Sequence, residues 1–327
     1  LSAVPALQAF TASLAASGIG LIVVALASLV TLFTKAGKKG AEFSKAISGL
    51  GAITGKTSEE LEVLSDQAKE LGSTTAFTAS QVVSLQTELA KLGFTIQDIE
   101  NATPAILDLS ASLDVSLAEA ATFAGSVVRS FGLTTQDTLN VVNVLADSTT
   151  KSALNFSLLS ESLKLVAPTA KAVGLSLADT TALLGVLADN GIKGSRAGTG
   201  LSRALTDLNA KGLTLNDAYK KINSSSNKLV TATDLVGTVG GRALLTLASN
   251  TGAINDLADA LTNVDDAAAR LIAEKRLDNL AGDTTKLASA WEGFLLNIED
   301  GTGVLNKLSR GAIQLLTNSI GAFQDAV

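Results

Sequence analysis

Apolar residues through the middle of this 327-residue chain recur at intervals of three and four. Leu61, Leu64, Ala68 and Leu71 form one stripe, Val82, Leu85, Leu89 and Leu92 a second, and Phe156, Leu159, Leu163 and Val166 a third. Such spacing sets each group on one side of an α-helix, where its members are buried together. No stretch alternates with a period of two, so the pattern predicts about ten short helices between Thr57 and Asn250 and no sheet.

The stripes are separated by one small pattern that recurs. "GFTIQD" (Gly93 to Asp98), "GLTTQD" (Gly132 to Asp137), "GLSLAD" (Gly174 to Asp179) and "GLTLND" (Gly212 to Asp217) share it, and "DVSLAE" (Asp114 to Glu119) is a variant without glycine. The glycine suits the left-handed residue that ends a helix. Thr95, Ser116, Thr134, Ser176 and Thr214 then suit the N-cap of the next helix, with the acid three residues on returning the bond in a capping box. That local duty argues against a catalytic role for these five acids. Pro104 and Pro168 suit the first turn of new helices.

Ser224 to Gly241, "SSSNKLVTATDLVGTVGG", reads as a looser connection. Beyond it, Ile254, Leu257, Leu261, Val264, Ala268 and Leu271 keep a three-four spacing that predicts a long amphipathic helix, packed on partner helices or on the same domain. Trp291, Phe294, Leu295 and Ile298 extend an apolar face with the single Trp as a packing anchor, and Val304 to Phe323 is again amphipathic to strongly apolar.

At the other end, no residue from Leu1 to Thr34 is charged, and Gly18 to Phe33 is almost wholly apolar, with Gly18, Ile22, Val24, Leu26, Leu29 and Phe33 along it. The run is long enough to cross a bilayer, and Lys35, Lys38 and Lys39 follow at once. A helix buried on all sides in a multi-chain assembly has the same composition, so both readings stand. The expectation is an all-α protein: a multi-helix domain of short helical hairpins over 57–250, after a long apolar N-terminal helix and linker over 1–56, and before longer amphipathic helices over 251–327.

Composition narrows the chemistry. The chain has no His and no Cys, which removes the Ser-His-Asp triad, the Cys nucleophile and the His/Cys zinc site. Hydrophobic residues make up 46% but aromatics only 4%, a vocabulary of Ala, Leu, Val and Ile. A net charge of -6 opposes binding to nucleic acid through a basic surface, and no cofactor or metal ligand set stands out. With no Met and a start at Leu1, the chain reads as an internal piece of a longer polypeptide, with processing as the other cause of such a start.

One stretch invites an enzymatic reading. "NGIKGSRAGTGLSRAL", Asn190 to Leu205, holds Gly191, Gly194, Gly198 and Gly200 with Arg196 and Arg203. A Walker-type phosphate loop needs a lysine before Ser or Thr at fixed spacing after a strand, and a dinucleotide loop needs a third glycine where Arg203 stands. Both fail. Arg196 and Arg203 lie two helical turns apart, placed to meet acids of a neighbouring helix or chain.

The succession "LGSTTAFTASQV", "TELAKLGFTIQDI", "VVRSFGL" and "VAPTAKAVGLSLADTTALLGVLADNGIKGSRAGTGL", closed by "KLASAWEGFLLNI", resembles the core region of phage tail tape measure proteins. The resemblance covers roughly Thr57 to Ile298, and Gly191, Gly194, Arg196, Gly198 and Gly200 fall in that family's most recognisable stretch. It implies a non-enzymatic component of the virion, inside the tail tube or at its tip. Its partners there are copies of itself, tube and tip proteins and assembly chaperones. It further implies roles in tail length and in passing DNA through the host envelope, where the apolar run would meet the membrane. Because this chain consists mostly of short helices, it reads as a folded module near one end of such a protein and not as the ruler. A membrane-inserting, pore-forming protein is the alternative from another class, and a two-carboxylate wall hydrolase a third.

Overall fold

The computed structural model describes residues 19–299, with their side chains from Lys35 to Asn297. Those residues form α-helices and one 3₁₀ turn, and no strand occurs among them. The helices are α1 (Ile19–Thr54), α2 (Glu62–Thr74), α3 (Ala79–Lys91), α4 (Ile96–Leu113), α5 (Leu117–Phe131), α6 (Thr138–Thr150) and α7 (Phe156–Ala172). They continue with α8 (Leu177–Asp189), α9 (Ser195–Ala210), α10 (Leu215–Asn223), α11 (Lys228–Ala248), α12 (Thr251–Thr262), α13 (Ala268–Leu277) and α14 (Leu280–Glu299).

The junctions form as their sequences require. Gly93, Gly132, Gly174 and Gly212 all have positive φ, and in each case the next residue sends its N–H back to a carbonyl five residues earlier, as Leu175 does to Ala170 at 2.9 Å. Thr95 then bonds reciprocally with Asp98, Ser116 with Glu119, Ser176 with Asp179 and Thr214 with Asp217. In the glycine-free variant Asp114 itself takes the left-handed conformation, at φ 57°. After Gly132 the chain first makes the 3₁₀ turn Thr135–Asp137, so α6 starts three residues later than the pattern suggests.

Two compact units emerge. One holds Lys56–Val83 with the described chain up to Ala52 and from Thr285 on; the other is Ser84–Thr284 with Ile53–Gly55. In the first, Ala36, Phe43, Ile47 and Leu50 of α1 and Leu61, Leu64 and Ala68 are buried, and Leu295 packs with Ala36. Glu292 of α14 is also buried here. Its carboxylate accepts from the Ser80 N–H at 3.2 Å, in the first turn of α3, and lies 3.4 Å from Lys39 Nζ. A buried carboxylate is tolerable when a helix N-terminus and a cation answer it together.

In the second unit α9 packs between α7 and α11, α12 lies on α8, and α13 lies on α4 beside α6. Asn143 of α6, almost fully buried, fixes α13: its amide nitrogen donates to Asp266 O at 2.9 Å and its oxygen accepts from Ala269 N at 2.9 Å.

Several expectations need correction. Pro104 and Pro168 sit inside α4 and α7, not at their starts. Both prolines are exposed, so the N–H that each lacks is lost on the solvent side of its helix. Ser224 to Gly241 is no linker: most of it is helical, with a kink at Val236 and Gly237, and Gly240 and Gly241 serve close packing. The stripe from Ile254 to Leu271 is not one helix. It breaks between α12 and α13, where the Asp265 carboxylate accepts from Ala267 N at 2.7 Å and Asn143 captures the next turn. Leu257, Leu261 and Ala268 of the stripe are then buried while Leu271 is exposed, and Ala269 and Ala273 face inward instead. Trp291 is about half exposed and stacks on Phe294 at 5.3 Å, so its neighbour Glu292 and not Trp291 reaches the interior.

The N-terminal helix also differs from a simple apolar rod, since from Lys35 on it is amphipathic. Among the described residues no helix is long and apolar enough to cross a membrane. The expected span itself is outside them: Gly18 wholly, and Ile22, Val24, Leu26, Leu29 and Phe33 in their side chains. Val304 to Phe323 likewise lies outside the described residues.

Candidate functional site

The glycine-rich stretch forms the passage from α8 into α9. Gly191, with φ 82°, donates its N–H to Ala188 O at 3.0 Å and Ile192 donates to Leu187 O at 2.8 Å, which closes α8. Gly194 is the N-cap of α9 at φ 57° and ψ -135°, a conformation open only to glycine. Having no side chain, it cannot cap the helix. The Glu161 carboxylate of α7 lies beside this helix start, where it accepts from the Ser195 hydroxyl, and a Cβ on Gly194 would stand 2.4 Å from Glu161 Oε2. The Gly194 carbonyl accepts from the Ser162 hydroxyl at 3.0 Å.

The other two glycines lie inside α9, not between helices. A Cβ on Gly198 would stand 2.6 Å from Ser162 O and 2.9 Å from Ser162 Cα, so α9 rests on the backbone of α7 there. Gly200 faces α11, with Ala243 Cβ 3.1 Å from its would-be Cβ, and Gly240 of α11 approaches Ala204 N to 3.0 Å in the same sense. The hydroxyls of Thr169 and Ser202 pair across α7 and α9 at 2.8 Å. Small residues here bring three helix backbones into contact, a packing device with no room for a nucleotide. The N-terminus of α9, where a phosphate would be held, already meets the Glu161 carboxylate.

Arg196 and Arg203 are exposed, and no acid pairs with either among the described residues. The expected pairing with a neighbouring helix of this chain is absent there. Arg196 instead borders a cleft of about 640 Å³ with Arg242, Thr199 and Thr246. Glu161, Ser162, Gly240 and Ala243, which complete the hub, escape sequence reading because each partners α9 from 30 or more positions away.

The acids behave as structural groups. Hydrogen bonds from Thr135 and Thr95 hold the Asp98 carboxyl below its usual range, and those from Ser116 do the same for Glu119. Asp108 is the exception: burial raises its carboxyl to about 6, with Arg270 opposing and Glu274 adding to the rise. No group of three or more acids among the described residues is placed to hold a metal ion.

A family model described as "Phage-related minor tail protein" matches residues 65–293. The chain is 32% identical over 289 residues to a tape measure protein of Pneumococcus phage Dp-1, an alignment that takes in 80% of this chain and 25% of that one. It is 29% identical over 347 residues to a probable tape measure protein of Escherichia phage P2, covering 96% of this chain and 42% of that one. The chain thus spans between a quarter and about two fifths of the length of these relatives. No solved structure matches it. The alternative reading as a pore-forming protein draws no support from these relatives. The family match runs from within α2 into α14 and takes in the whole glycine hub, and the chain belongs to the phage-related minor tail protein family.

Proposed function

We propose that this chain is a structural, non-enzymatic segment of a tape measure protein, a folded helical module that sits inside the tail tube or at the tail tip. The observation that carries the reading is the family match over residues 65–293 together with relatives named as tape measure proteins. In this role the segment takes part in tail assembly and length determination, as one of several copies, alongside tube and tip proteins and assembly chaperones. It also accompanies the genome across the host envelope, where Gly18 to Phe33 contacts the membrane after ejection. Gly191 serves by ending α8, Gly194, Gly198 and Gly200 by letting α9 close on α7 and α11, and Arg196 stays available to a partner.

The test is the position of the segment in an intact particle. A short tag inserted in the parent protein at the exposed turn Ser225 to Asn227 is expected to label the tube axis or the tip in electron micrographs of virions. A label on the outer surface of the tail, or none in the virion, overturns the reading.

A further inference from the structure

The cleft of about 640 Å³ beside α9 and α11 holds two cations and no acid: Arg196 and Arg242 line it, and none of its lining residues is Asp or Glu. Both guanidinium groups are exposed, and neither has an ion pair among the described residues. Val239 lines the same cleft one turn before Arg242 and leaves 56% of its surface in water. Arginine beside an exposed apolar side chain, with no lysine in the lining, is the make-up of a protein interface. Two arginines on a chain of net charge -6 are too few to hold a phosphate backbone, whereas each guanidinium fork matches one carboxylate.

The same unit, 84–284, carries the opposite pair on α12. Asp256 and Asp259 are exposed and one turn apart, so they repel each other along the helix. Among the described acids of this unit they are the pair at helical spacing with neither a capping bond nor an ion pair. Ala253 and Ala260 stand a turn to either side of Asp256, so the helix presents its two acids with little bulk around them. Each pair thus lacks within its own copy the charge that the other supplies.

We propose that Asp256 and Asp259 of a second copy of this chain dock into the cleft and pair with Arg196 and Arg242. The contact joins two different patches and therefore runs from copy to copy. It deepens the reading of several copies under the proposed function and rests on it. The location of the segment in the virion is read separately by the tag, so either can fail alone.

The test is sedimentation velocity of the purified 327-residue chain. Self-association is expected at low salt and is expected to weaken as salt rises. Arg196→Glu with Arg242→Glu, and separately Asp256→Lys with Asp259→Lys, are each expected to weaken it roughly tenfold or more. Mixing the two variants is expected to restore it, because each then meets opposite charges. All four side chains are exposed, so both variants are expected to keep the helical far-ultraviolet spectrum. If either does not, Arg196→Gln with Arg242→Gln or Asp256→Asn with Asp259→Asn takes its place and is expected to weaken association as well. A chain that stays monomeric overturns the proposal, as does association that the substitutions leave unchanged or that mixing the reversed variants fails to restore. Binding of duplex DNA that the arginine reversal abolishes, with self-association unchanged, assigns the cleft to phosphate and overturns it too.

Discussion

Gly198 of α9 rests on the backbone of Ser162 of α7, so closely that a Cβ at position 198 would come within 2.6 Å of the Ser162 carbonyl oxygen. Neither backbone can yield without moving its helix. Gly198→Ala gains about 1 kcal/mol of helix propensity but is expected to lose more than that to overpacking, for a net cost of about 1–2 kcal/mol in urea or thermal unfolding. Gly49 lies within α1 with nothing within 4 Å of its would-be Cβ, and Gly49→Ala is expected to stabilise by about 0.5–1 kcal/mol. Equal effects of the two substitutions would show that the hub is not tight.

Asp114 holds at φ 57° the place that glycine holds in the four sister junctions. Its contact with Arg276, 4.0 Å between exposed groups, adds little. Asp114→Gly removes the strain of a left-handed side-chain-bearing residue, and a gain of about 0.5–1 kcal/mol in thermal unfolding is expected. A loss would mean that the aspartate side chain itself holds the junction.

Glu292 is the buried acid that links α14 to the start of α3 and to Lys39. Glu292→Ala leaves the Ser80 N–H without its acceptor and is expected to cost about 1–3 kcal/mol. Glu292→Gln keeps an oxygen for Ser80 and should cost less. Calorimetry that ranks Gln as the worse substitution would assign the stabilisation to the ion pair and not to the helix end.

Asp108 imposes a pH dependence of unusual sign. Its folded carboxyl titrates at about 6, raised chiefly by burial, against about 3.9 when unfolded. Between those values the folded chain binds more protons than the unfolded one, so this group lowers stability as pH rises from about 4 through 6, and the full penalty stands above. Allowing for its partial solvent exposure, Asp108→Asn is expected to be about 1–2 kcal/mol more stable than the parent at pH 8 and no more stable at pH 4. The capping acids act oppositely: Asp98, Glu119 and Asp217 are held below their usual range and lose their contribution as pH falls through it. The difference between variant and parent isolates Asp108.

What could be read beforehand was whatever is written within a few residues. Thr95 and Asp98 carry both halves of a capping box, so their helix start is visible without a fold. Several of the misreadings share one cause, a partner far along the chain. The break at Asp265 depends on Asn143, more than a hundred residues earlier, and no local spacing announces it. Gly240 reads as a loop glycine because a glycine that ends a helix and one that lets two helices touch are the same letter. The burial of Glu292 has no local signal either, since the N–H that it meets belongs to Ser80. The glycine stretch was legible as no phosphate loop, while the carboxylate that occupies its helix start belongs to Glu161 on another helix.

The capping boxes have one more implication. In α4, α5, α8 and α10 the residue that ends the previous segment, the cap and the returning acid all fall within six positions. A chain drawn out straight and then released would recover those boundaries from its nearest neighbours, with little loop-closure entropy to overcome. The contacts at Gly198, Asn143 and Glu292 would have to wait for distant segments to return. Recoil from stretching would therefore proceed in two stages, short rods first and their bundle second.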